Sequence, residues 1–224
     1  MSAETGAKFQ TQSGKVYRSI RDEIICGSLK PGTRLVRRTL GQRYGTSAIA
    51  VAEALWKLEN DGLVESEPMY GSRVSAFTQK QIKGELLLRQ ALESEVARLC
   101  AERAGELPAE ELMKKAAAVD AMMSVKHEQY QAEITEAHTD FHRSLAMECG
   151  SEAIVQELDR VWFRHIMLYS AVNASMFPVP ADWHQSFLRS ILSGDPDHAD
   201  LAAREHIRYG GEHLEKVFRR LEAL

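Results

Sequence analysis

A chain of 224 residues, 44% hydrophobic and 27% charged, can bury two modest cores, and it has no apolar run of the roughly 18 residues that a membrane-spanning helix needs. Its net charge of −4 argues against a nucleic-acid binder, but the charge is unevenly divided. Residues 1–78 hold 11 of the 28 Lys+Arg and 8 of the 32 Asp+Glu, a net of +3, which leaves −7 for the remainder. Phosphates would favour the first third and be repelled by the rest. Cys26, Cys100 and Cys149 show no CxxC spacing and sit in apolar helical contexts, so free buried thiols in a reducing cytoplasm are expected. Met1–Gln12 is polar, lacks the apolar centre of a secretory signal, and reads as a loose tail.

The first predicted element is the amphipathic segment VYRSIRDEIICGSL, in which Val16, Ile20, Ile24 and Ile25 fall at helical spacing before Lys30-Pro31-Gly32 breaks it. Leu35–Tyr44 is predicted as a short helix and Gly45-Thr46-Ser47 as a tight turn. A second helix follows over Ala48–Asp61, with Ser47 placed to N-cap it and Gly62 to end it. Two extended runs, Leu63–Ser66 and Ser72–Phe77, are joined by Glu67-Pro68-Met69-Tyr70-Gly71, a hairpin of wing size. Gly14–Phe77 therefore reads as a winged helix-turn-helix, whose partner is double-stranded operator DNA. In that fold the second helix enters the major groove by its N-terminal residues. Candidate contacts are Ser47 and Ile49 on it, Arg37 and Arg38 at the start of the preceding helix, and Gly71 and Arg73 in the wing. Arg34 and Arg43 are further cations, and each arginine equally fits a solvated surface charge. Val51, Leu55 and Leu58 should face the core, and Trp56 is placed to pack in the domain or at its border.

From Thr78 onward the periodicity is helical throughout. Helices are expected over Gln79–Ala104, from Pro108 at N1 to about Lys126, over Tyr130–Glu148, from the Ser151 cap to about Asn173, over Asp182–Leu192, and after Ser193-Gly194-Asp195-Pro196 to about Leu221. Six helices without a strand make an all-α bundle. The chain is thus mainly α, with a winged helix-turn-helix at 13–77 and a helical bundle at 78–224. His138 and His142 are four apart and share a helix face, while His184 and His206 lie on the last two helices. Such imidazoles converging in a bundle suit a divalent metal such as zinc or nickel, although a polar or hydrogen-bonded histidine face has the same spacing. HTDFH also has the two-histidine spacing of a metallohydrolase, but Thr139 stands where that motif needs a glutamate. Asp140 points about 200° round the helix from His142, so an enzyme is not expected.

The runs GSLKPGTRL, RRTLGQRYGTS, VAEALWKLENDGLVES and YGSRV resemble the GntR-type bacterial transcription regulators in order, spacing and glycines. LLLRQALESEVARLCAERA, HTDFHRSLAMECG, WHQSFLRSILSGD and AAREHI resemble the ligand-binding domain of the FadR branch, the FCD type. The resemblance implies a cytoplasmic, homodimeric, ligand-responsive DNA-binding protein. It implies a cavity in which His142, His184 and His206 hold a metal ion; the acid that usually completes the set is replaced here by His138. A site of four neutral imidazoles is one unit more positive and favours an anionic effector, such as a small carboxylate. Arg89 matches an arginine that pairs with the effector, or else it makes an i,i+4 surface pair with Glu93; Arg160 and Arg164 are further candidates for the cavity. One departure is large: Ala48 and Ala52 stand where the family usually has arginine, and Ala50 where it has proline. That leaves open an all-α interaction module whose helix-turn-helix no longer binds DNA.

Overall fold

A computed structural model describes residues 11–67, 69–76, 78–124, 131–171 and 179–222, and the chain forms two compact units that divide after Ala76. Residues 1–10 of the expected tail lie outside the described residues. So do Pro68 of the wing turn, Phe77, Tyr130, Asn173 and Pro178, at which element ends or breaks were expected.

In the first unit, α1 (Gln12–Ile25) is N-capped by Thr11, whose hydroxyl accepts from the Gly14 N–H at 3.1 Å. It buries Val16, Ile20 and Ile24 at helical spacing. The helix-turn-helix pair is α2 (Arg37–Tyr44) and α3 (Ala48–Asn60). Gly45 ends α2 in the left-handed region at φ 61°, where a side chain would be strained. Gly41 lets the turn close: a Cβ there would lie 3.0 Å from the Thr46 carbonyl oxygen. α3 buries Val51, Ala54, Leu55 and Leu58, as the apolar period requires.

The wing departs from expectation. Leu35 does not open α2. Arg34–Leu35 is a short strand β1, and the sheet has three strands in the order β1-β3-β2, with β2 at Val64–Glu67 and β3 at Gly71–Val74. A bare hairpin would leave one edge of β3 with unpaired amide and carbonyl groups. The segment before α2 pairs with that edge, setting Arg34 opposite Arg73 and Leu35 opposite Ser72. Leu35 then points into the core. Trp56, expected to pack, is 63% exposed. Cys26, expected to be buried, lies exposed just beyond the apolar face of α1.

The second unit contains six α-helices among the described residues: α4 (Gln79–Glu102), α5 (Ala109–Ser124), α6 (Gln131–Met147), α7 (Glu152–Ala171), α8 (Trp183–Leu192) and α9 (Pro196–Glu222), with a 3₁₀ turn at Ala104–Glu106. Thr78 and Gln81 form a reciprocal capping box that fixes the start of α4. α4 lies along α9, where Gly211 permits the approach; a Cβ there would meet Leu86 at 3.2 Å. The core runs through Ala97, Leu112, Ala116, Phe141, Leu145, Leu158, Leu188 and Ile191. It surrounds, from several sides, a set of buried polar groups.

Candidate metal centre and nucleic-acid interface

α6 brings His138 and His142 to one face, α8 supplies His184 from its first turn, and α9 supplies His206. The ring centroids lie 4.6 Å apart for His138–His142, 5.0 Å for His138–His184 and for His184–His206, and 5.2 Å for His142–His206. One ring nitrogen of each lies within 4.8 Å of the other three. His142, His184 and His206 are buried.

Two carboxylates orient these rings from behind. Glu93 Oε2 lies 2.9 Å from His142 Nδ1, and Asp120 Oδ1 lies 2.7 Å from His184 Nδ1. Asp120 also accepts from the backbone N–H groups of His184 and Gln185, at 2.9 and 3.1 Å. Each carboxylate holds the proton of its imidazole on Nδ1, so the Nε2 lone pair points the other way. Those Nε2 atoms, and both ring nitrogens of His206, are buried without a hydrogen-bond partner. Buried polar atoms are nearly always partnered, and unpartnered ones carry a cost of about 1–3 kcal/mol each. A borderline divalent ion bound by neutral imidazoles is the chemistry this donor set fits. Burial pushes His138 and His206 well below the usual imidazole range, and the neighbouring rings push further. Burial lowers His184 too, with Asp120 opposing it in part. The lone pairs of His138, His184 and His206 are therefore free at neutral pH. Burial alone would raise the Glu93 carboxyl, but Arg89 and His142 hold it well below the usual range; Asp120 is lowered by its hydrogen bonds against the same burial.

Beside the histidines is a cavity of about 80 Å³, whose walls include Arg89, Thr135, Thr139, Trp162, His165 and Trp183. Arg89 lines this cavity and makes the i,i+4 pair with Glu93, but not on the surface. It donates from Nε to Glu93 at 2.6 Å, and the pair is buried, at 6% and 4% side-chain exposure. Its Nη1 donates to His165 Nε2 at 2.9 Å, and Trp162 Nε1 donates to the same Glu93 oxygen as Arg89, at 2.8 Å. Arg160 pairs with Glu157 and Arg164 with Glu85, and neither lines the cavity. Asp140 faces away to Lys115, and the Thr139 hydroxyl donates to the Thr135 carbonyl, so no general base stands beside the histidines on α6.

Sequence reasoning missed Glu93 as an orienting group, and it missed Asp120 and His165 altogether. Asp120 left a trace, as a lone acid in the apolar run AAAVDAMM. His165 is three residues from Trp162 and shares its face of α7.

In the first unit Ser47 caps α3, its hydroxyl accepting from the Ala50 N–H at 3.2 Å. Arg37 and Arg38 are exposed and line one shallow groove with Ser47 and Ala48, while Ile49 stands 73% exposed on the first turn of α3. Gly71 adopts φ 83° at the start of β3. Arg73 is exposed and bridged to both Glu65, directly across the strand pair, and Glu67. Arg43 is bridged to Glu23.

Residues 12–74 match the bacterial regulatory proteins of the gntR family, and residues 86–209 match the FCD domain. The chain is 26% identical over 203 residues to the HTH-type transcriptional repressor GlaR of Escherichia coli, covering 85% of this chain and 90% of that one. It is 27% identical over 199 residues to the probable D-xylose utilization operon transcriptional repressor of Paenarthrobacter nicotinovorans, covering 88% and 86%. Among solved structures, a GntR transcriptional regulator of Rhodococcus sp. RHA1 shares the fold at TM-score 0.70 and 20% identity, covering 91% of this chain and 97% of that one. E. coli McbR/YncC shares it at 0.72 and 17%, covering 93% and 99%.

Proposed function

The chain belongs to the GntR family of bacterial transcription regulators, with an FCD domain as its second unit, and from that membership we propose that it is a homodimeric, cytoplasmic repressor released by a small monocarboxylate bound beside a divalent metal. Repression is the activity in the names of the two relatives. His138, His142, His184 and His206 would hold the ion, zinc or nickel by their chemistry. Bound there, it would supply two positive charges and a Lewis-acidic position for an effector oxygen.

The effector class follows from charge. With neutral imidazoles, a divalent ion and Arg89 contribute +3, and ionised Glu93 and Asp120 contribute −2. A single carboxylate balances the residue of one charge; a dicarboxylate overshoots in a small and mostly apolar space. Thr135, Thr139 and the Arg89 guanidinium offer polar contacts around it. Arg37, Arg38, Ser47, Ile49, Gly71 and Arg73 are the proposed DNA contacts. A two-fold operator and the weakness of one small winged unit motivate the dimer.

The observation that carries the metal reading is the set of buried, unpartnered imidazole nitrogens on His142, His184 and His206, the first two rings being held in one tautomer by Glu93 and Asp120. Its test is equilibrium dialysis of zinc and nickel with melting curves. At about 100 times the dissociation constant, the metal should stabilise the protein by about 2.7 kcal/mol. Chelator should reverse this, and His142→Ala should lose both binding and stabilisation. A melting curve indifferent to both metals and to chelator, in a protein purified without metal, would sink it and leave the DNA-binding reading standing.

A further inference from the structure

The first turn of α3 carries a residue that the fold does not explain. α3 faces the core with Val51, Ala54, Leu55 and Leu58, and leaves Ala48, Ile49 and Glu53 exposed. Ile49 is 73% exposed, so burial does not account for an isoleucine there. Helix propensity does not either, because a β-branched side chain is a poorer helix former than alanine. Beside it, Arg37 and Arg38 border the groove that runs to Ser47 and Ala48, the residues just before Ile49.

The N-terminal part of that exposed face, the part that enters the major groove, offers little to a guanine. Guanine presents two acceptors, N7 and O6, in the major groove, and reading them takes a pair of donors. Ala48, Ile49 and Ala52 have none, and Glu53, one turn on, only accepts. Ser47 has one hydroxyl, already engaged as acceptor in the helix cap. The only apolar group that a base pair displays in the major groove is the C5-methyl of thymine.

We infer that Ile49, between Ala48 and Ala52, reads thymine methyl groups, so that α3 selects its half-site by apolar contact and not by guanine pairing. Arg37 and Arg38 then serve affinity through phosphates, and Ile49 serves sequence choice. The inference rests on the DNA-binding reading, and its experiment separates the two.

The full chain is used to select duplexes from a randomised pool. Each thymine of the preferred sequence is then replaced, one at a time, by deoxyuridine, which lacks only the methyl. In the wild type, at least one thymine per half-site should be sensitive, with binding weakened about fourfold, the value of one buried methyl-sized group. Ile49→Ala, at an exposed position that leaves the core intact, should bind more weakly and lose the sensitivity to uracil at that thymine. Ala52→Arg should move the selected base toward guanine. Wild-type indifference to uracil at every position, or the same uracil sensitivity in Ile49→Ala, overturns the inference and leaves DNA binding in place. A chain that binds no duplex even at low salt overturns both.

Discussion

Arg73 in the wing and Arg89 in the helical unit are each held by glutamate, at 2.7 Å from Glu65 and 2.6 Å from Glu93, and the two arrangements differ in everything but distance. The side chains of Arg73 and Glu65 are 45% and 42% exposed; those of Arg89 and Glu93 are 6% and 4%. Water already solvates the wing pair, so it contributes little and a phosphate can take the arginine with small loss. The buried pair cannot be opened that way, because either partner alone would be an uncompensated charge in the core. The proposed DNA face is therefore a surface that a partner could rearrange. The cavity is framed by groups already fixed in place.

The largest expected effect tests the buried half. Glu93→Ala removes the acceptor for Arg89, Trp162 and His142 together and should lower unfolding free energy by about 3–5 kcal/mol. Glu93→Gln, which keeps the shape, should lose less. Removing both wing acids, Glu65→Ala with Glu67→Ala, should leave the denaturation midpoint in place. Equal midpoints for the core and wing variants would break the comparison.

A smaller effect is expected in DNA binding. Arg38→Ala should weaken all sequences alike and reduce the slope of log K against log salt by about 0.9 per half-site. Glu65→Gln with Glu67→Gln should do the reverse, tightening binding at low salt by freeing Arg73. If releasing Arg73 leaves DNA affinity unchanged, the wing arginine is only a surface charge.

The smallest effect separates the units by thiol chemistry. Burial pushes the Cys100 thiol up to about 12 from 9.0, with Cys149 adding to it, whereas Cys26 is exposed. An alkylating agent should label Cys26 in the native protein and reach Cys100 only on unfolding. The raised folded value means that Cys100 contributes its full stability below pH 9 and loses it as pH rises through 12. Equal native labelling of the two thiols would show that the core opens more readily than this packing allows.

Local rules carried far along this chain. Helical spacing in Val16–Ile24 and Val51–Leu58, the Ser47 cap, the Gly45 turn and the i,i+4 spacing of His138 and His142 are all short-range, and each is visible to a reader of the sequence. What tertiary structure decided joins residues far apart in the chain. β1 exists because β3 had a free edge to pair. Asp120 orients His184 across 64 positions, and Trp162 reaches Glu93 across 69. The Arg89–Glu93 spacing was legible, but its burial was not, and burial turns a weak surface pair into the frame of the cavity. Periodicity reports which face of a helix is apolar. Only packing decides which polar groups are shut away from water, and there an unpartnered nitrogen or an uncompensated charge becomes costly enough to mark a site.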